Sequence, residues 1–244
     1  MSIFNNNQYR PSGFGYLPVV TKNIIIINVI MYVISLAAES QGIDLTKYFG
    51  LHYYLAPDFK PHQFITYIFM HGSFQHILFN MLAVYIFGQV LEQVWGPKRY
   101  LIFYILTGLG AALAQYVVMQ FQANEIIAWY NERIALPEAT AAIKSQLIEN
   151  KFNDLDRMVV VGASGSLFGL LGAFGMLFPN RELYLYFLFP VKAKWLVTAY
   201  GAFELFSGWR NDPLDNVAHF AHIGGLLVGI VIVLIWRKDK EHFY

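Results

Sequence analysis

A chain of 244 residues that is 57% hydrophobic and 14% charged carries several apolar runs near the roughly 20 residues a helix needs to cross a bilayer, and reads as an integral membrane protein. A net charge of +1, with basic residues in short clusters beside apolar runs, excludes the basic face that nucleic-acid binding needs. The absence of cysteine excludes thiol nucleophiles, disulfides and thiolate metal sites, so covalent chemistry must come from hydroxyls, and the compartment stays open.

Residues 1–18 read as a flexible leader, with Asn5-Asn6-Asn7 and Pro11-Ser12-Gly13. Apolar length and charged punctuation then predict six spans, at 19–38, 73–94, 99–120, 164–178, 193–208 and 217–236. All six are expected to be helices, because open strands leave backbone groups unpaired in lipid and no barrel alternation is present. The first span ends in Ser35-Leu36-Ala37-Ala38, which fits a signal-peptide cleavage site, while Asn28 and the polar leader fit a retained helix. Residues 63–94 are too many apolar positions for one straight span, and Gly72-Ser73 is the natural break because Ser is a favoured N-cap. That leaves 39–72 as a long apolar-rich outer loop tucked against the membrane or the helices. Residues 122–157 hold six acidic and four basic residues with Ile126, Ile127, Trp129, Tyr130, Ile134 and Leu136 at helical spacing, and read as a solvated helical insertion between helices three and four. The expected fold is all-α, a six-transmembrane-helix bundle over 19–236 followed by a basic cytoplasmic tail at 237–244. No internal repeat is evident.

Lysine and arginine set the orientation. With the N-terminus inside, inner segments carry ten of the 17 basic residues, and four of the remainder lie in the long acidic insertion, where the rule counts little. Both termini are expected to be cytoplasmic, in a bacterial inner membrane.

In that topology spans two, four and six run from outside to inside, and His76, Ser164 and His222 each lie near the start of one, at a shared depth. Ser164 sits in Gly162-Ala163-Ser164-Gly165, at the head of a helix too short to reach across the hydrocarbon core, so its start is sunk below the surface. A serine hydroxyl needs a base to become a nucleophile, and His222 is the expected base. The N-terminal N–H groups at Ser164 and Gly165 can face a developing oxyanion. His76 and Asn80, four apart on one helix face, can add side-chain donors, and Gly162 allows close backbone approach.

Each feature also has a plain structural reading. Gly162, Gly165, Gly169 and Gly172 make a small-residue helix face whatever the function, and His71 and His219 read as interhelical hydrogen-bond partners. A metal site is not expected, because His219 and His222 lack the adjacent Glu of a His-Glu-x-x-His motif and no intramembrane carboxylate is near them in sequence. Glu92 is expected to pair with Lys98 and Arg99 at the membrane surface, and Glu204 to reach outward near Arg210, with no mechanistic role assigned.

His71, His76-Ile77-Leu78-Phe79-Asn80, Gly162-Ala163-Ser164-Gly165 and Ala221-His222-Ile223-Gly224-Gly225 followed by Gly229 resemble the rhomboid family of intramembrane serine proteases, over about residues 64–95 and 157–236. The resemblance implies a six-helix fold, a Ser-His dyad without an acid, and cleavage of other transmembrane proteins near their outer ends, often after small residues. By motif, Ser164 is then the nucleophile and His222 the base, with His76, Asn80 and the Ser164 N–H as the oxyanion hole and no cofactor. The chain departs from the family at Pro61-His62-Gln63, where a Trp-Arg pair is common, and in the length of 122–157. Phe168 stands where an aromatic, often Tyr, stacks on the catalytic His. Two rivals remain: a non-catalytic rhomboid-like binder of membrane clients, and a proton-relaying transporter, which would need paired intramembrane carboxylates.

Overall fold

The computed structural model describes residues 17–185, 188–210 and 217–238. Residues 1–16 of the expected leader and the tail beyond 238 lie outside the described residues. Chain order is α1 (Val19–Glu39), α2 (Thr46–Phe49), β1 (Leu51–His52), α3 (Gln63–Thr66), a 3-10 turn at Tyr67–Phe69, α4 (Phe74–Ala83), a π-helical turn at Val84–Gly88 and α5 (Gln89–Ile134). Then come α6 (Ala141–Asp156), β2 (Val159–Val160), α7 (Ser164–Leu177), β3 (Glu182–Leu185), β4 (Phe189–Lys192), α8 (Ala193–Arg210) and α9 (His219–Lys238). By length and composition Val19–Glu39, Phe74–Ile134 and His219–Arg237 can each cross a membrane, and α7 is a shorter apolar helix.

α1 starts after Pro18 with no cap from its own N-cap side chain. The buried Glu92 carboxylate supplies the acceptors instead, taking the Val20 N–H at 2.9 Å, the Thr21 N–H at 2.7 Å and the Thr21 hydroxyl at 2.8 Å. Unpaired N–H groups and the positive end of the helix dipole draw the negative charge inward. This corrects the expectation that Glu92 serves the membrane surface beside Lys98 and Arg99.

Phe74 to Ile134 is helical throughout but bends at Gly96, whose φ of 76° and the following Pro97 split it into two rods where the punctuation between spans two and three lies. The second rod overturns one expectation, since span three was to stop at 120 and the helix runs on to Ile134. Residues 121–134 contain neither Gly nor Pro, so Glu125, Glu132 and Arg133 end the apolar run without ending the helix. Thr140 caps α6, which folds back along α5 through Tyr130 to Asp154 at 2.6 Å and Lys151 to Asn131 at 3.3 Å. The acidic segment is thus a helical hairpin whose first arm is α5 itself.

The 39–72 segment packs on this hairpin. β1 pairs antiparallel with β2, Leu51 opposite Val160 and His52 opposite Val159. The buried His52 ring lies 3.0 Å from the Asp156 carbonyl and 3.2 Å from the Thr46 carbonyl, and Tyr53, Ala56, Met119, Ala123 and Leu155 form a small apolar core beside it. Burial raises the Asp156 carboxyl above the usual carboxylate range, against the lowering effect of the Asp58 N–H bonded to it. Between α7 and α8 the antiparallel pair β3–β4 makes a hairpin that apolar spacing does not reveal, with Tyr184 and Phe189 exposed.

α7 is the centre of the main core. Every residue from Gly165 to Gly175 is buried, against α4, α5, α8 and α9. The α7–α9 contact is made by glycines. A Cβ at Gly225 would overlap the Gly165 carbonyl, and one at Gly229 would lie 2.7 Å from the Gly169 carbonyl oxygen.

Candidate active site

The chain enters α7 through Gly162, whose φ of +130° suits glycine and whose N–H donates to the Tyr67 carbonyl at 2.9 Å. Tyr67 is fixed in turn by its hydroxyl, which donates to the Gly108 carbonyl at 2.6 Å. The two serines that follow differ in role. The Ser166 hydroxyl is buried and donates to the Tyr104 carbonyl at 2.8 Å, whereas the half-buried Ser164 faces α9.

Close approach at Gly225 brings the preceding turn of α9 onto the head of α7, with His222 Nε2 lying 2.8 Å from Ser164 Oγ. Phe168, one turn after Ser164, stacks on the His222 ring with centroids 4.3 Å apart and planes within 8°. His222 is only 8% exposed, so the pair works in a water-poor setting.

Ser73 caps α4 by accepting the His76 N–H at 3.2 Å, which sets the helical register of His76 and Asn80. The His76 ring lies over Gly162: a Cβ there would sit 2.7 Å from His76 Nε2. The Asn80 amide instead lies 3.0 Å from His71 Nε2, and the His71 and His76 rings meet edge to face at 4.9 Å. His76 therefore stands over Gly162 in the turn that leads to Ser164, while Asn80 is engaged with His71.

Sequence reasoning assigned no role to one further residue beside the Ser164 and His222 pair. Glu204 on α8 does not reach outward near Arg210; it is 6% exposed, with Oε2 2.5 Å from His219 Nδ1 and 3.0 Å from His222 Nδ1. His219 is likewise buried. A carboxylate sealed from water needs donors, and these imidazoles are the partners α8 meets. No carboxylate is close to the histidines in sequence, yet α8 brings one close in space. Only the i, i+3 pair His219 and His222 opposite a lone intramembrane Glu could have signalled it.

Residues 58–239 match the family model described as the Rhomboid domain. The chain belongs to the rhomboid family. Over 182 residues it is 27% identical to "Putative rhomboid protease YdcA" of Bacillus subtilis, covering 74% of this chain and 69% of that protein. Over 186 residues it is 27% identical to "Rhomboid-like protein 11, chloroplastic" of Arabidopsis thaliana, covering 73% and 53%. Over 171 residues it is 27% identical to "Rhomboid protein 1, mitochondrial" of Saccharomyces cerevisiae, covering 67% and 38%, so the match spans about half of the plant relative and less of the yeast one. Family membership and the apolar helices make this rhomboid an integral membrane protein.

Glu204, His219 and His222 also bring one ligand atom each within 4.8 Å of one another, a donor set of the kind that holds zinc. Two ligands of one tetrahedral ion at about 2.0–2.1 Å would stand roughly 3.3 Å apart. The 2.5 Å between Glu204 Oε2 and His219 Nδ1 is a hydrogen-bond distance instead. A cavity of about 290 Å³ opens beside this cluster, lined by Arg157, Met158, Val160, Gly208, His219 and Phe220 among others.

Proposed function

We propose that this rhomboid is an intramembrane serine endopeptidase that cleaves transmembrane proteins near the outer face of the bilayer. The observation that carries the reading is the 2.8 Å contact of Ser164 Oγ with His222 Nε2, inside a buried helix contact. Nε2 takes the hydroxyl proton as Oγ bonds to the substrate carbonyl carbon, and the carbonyl π pair moves onto oxygen. The resulting oxyanion faces the Ser164 N–H at the head of α7 and the His76 ring, and the Asn80 amide, one turn after His76 on α4 and turned to His71 with its nitrogen, offers its second N–H. Collapse breaks the C–N bond, the His222 N–H protonates the leaving amine, and water repeats the sequence to release the acyl group.

Six crossings follow if α1, the two rods of Phe74–Ile134, α7, α8 and α9 each span the membrane. The 14 residues of α7 reach about 21 Å against a core of roughly 30 Å, which supports a serine below the surface. The charge bias supports cytoplasmic termini. A bacterial inner membrane fits that bias, as does an organelle membrane of the kind named for the plant and yeast relatives. The test is cleavage of a reporter transmembrane segment in proteoliposomes. Ser164→Ala and His222→Ala should each lower it by at least roughly 10³-fold, with the double variant little worse, since residues acting as a unit are not additive. Retained cleavage in Ser164→Ala, or additive losses, would overturn the dyad, and a folded parent that cleaves nothing would leave the client-binding reading in its place.

A further inference from the structure

We infer that Glu204 is a positioning residue for the serine chemistry, holding His222 in the tautomer that can accept the Ser164 proton and carrying the countercharge for the imidazolium that forms. The inference rests on the reading of Ser164 and His222 as nucleophile and base. It departs from what the family resemblance implies, which is a dyad with no acid.

Three observations lead to it. For Nε2 to accept a proton from Oγ at 2.8 Å, the neutral ring must carry its proton on Nδ1. The Glu204 carboxylate is the group facing Nδ1, at 3.0 Å, and it favours that tautomer because a carboxylate attracts an N–H and repels a lone pair. Last, Glu204 reaches this position from a different helix, so its side chain fixes α8 against α9 at the height of the dyad.

The geometry also limits the size of the effect. Nδ1 makes no aligned hydrogen bond among the described residues, so Oε2 sits near the nitrogen but off its N–H axis. The same oxygen is held by His219 Nδ1 at 2.5 Å, which shares the charge. An aligned third member of a triad is worth about 10⁴-fold. An off-axis, shared carboxylate acts mainly through its charge at 3.0 Å and should be worth about 10- to 100-fold. When the Ser164 proton moves to Nε2, the new positive ring faces a negative carboxylate and no further proton transfer is needed; Glu204 stays ionised throughout. Phe168 stacks on a face of the ring and Glu204 stands at its Nδ1 edge, so ring rotation is opposed by stacking and by the Glu204 charge.

The probe is a rhodamine-tagged fluorophosphonate, with the maximal rate of labelling and the half-saturating concentration measured separately on the full chain in detergent. Glu204→Gln keeps the shape and removes the charge. It should lower the maximal rate about 10- to 100-fold, with half-saturation changed by less than about twofold and the melting temperature close to that of the parent. Glu204→Asp keeps the charge at a longer distance and should recover part of the rate. An undiminished maximal rate in Glu204→Gln, or a loss confined to half-saturation, overturns the inference. If Glu204→Gln does not fold, Glu204→Asp decides: a reduced maximal rate with unchanged half-saturation supports it, and a parental rate overturns it. A parent protein that is not labelled at Ser164 overturns the protease reading and this inference with it, whereas a labelled parent beside an unaffected Glu204→Gln overturns this inference alone.

Discussion

Two buried glutamates on different helices look alike in sequence and differ in what they hold. Glu92 takes two backbone N–H groups and a hydroxyl at the start of α1, far along the chain but fixed in kind: its partners do not titrate and do not react. Glu204 takes two imidazoles, one of which contacts the Ser164 hydroxyl. Burial is nearly the same, 4% and 6% exposed, so burial does not separate them. The partner does. A carboxylate on orphan helix N–H groups stabilises a fold, whereas one on the back of a serine-facing histidine is placed to act on the reaction proposed above.

That contrast can be broken by substitution. The largest change in stability should come from Glu92→Ala, which leaves three donors at the head of α1 without an acceptor and should cost about 3 kcal/mol, seen as a lowered unfolding midpoint in detergent. Labelling per folded molecule should stay within about twofold; a specific loss of labelling in a stable protein would erase the distinction between the two glutamates. His76→Ala comes next. With its ring over Gly162, it should slow turnover about 10²-fold in a protein that still folds, a typical figure for one oxyanion donor. Unfolding without a kinetic effect would make His76 a packing residue. The smallest effect belongs to His219→Ala, which leaves the Glu204 charge beside His222 and should keep cleavage within about threefold. A loss as large as that of His222→Ala would move the base one helical turn outward.

What could be read in advance divides along the same line. The head of α7, the break between spans two and three and the Ser73 cap were legible because a glycine turn, charged punctuation or a cap writes local geometry into local sequence. The Ser164 and His222 contact was legible because Gly225 and Gly229 mark a close approach of two helices. The end of α5 was not, because charge stops an apolar run without stopping a helix. Nor were the partners of Glu92 and Glu204. The first acts 71 and 72 residues away and the second across α8 and α9, and neither separation leaves a periodic trace. The β1–β2 pair that ties the outer loop to the acidic hairpin was hidden for the same reason, at two residues per strand.

The central claim is that Ser164 becomes a nucleophile only through His222. The measurement that reaches it most directly is peptide mass mapping of the fluorophosphonate adduct on the parent, Ser164→Ala and His222→Ala proteins, each shown to be folded. The account predicts one adduct, on Ser164, in the parent, and none in either variant. An adduct on Ser166 or another hydroxyl, or undiminished modification of Ser164 in His222→Ala, would contradict it.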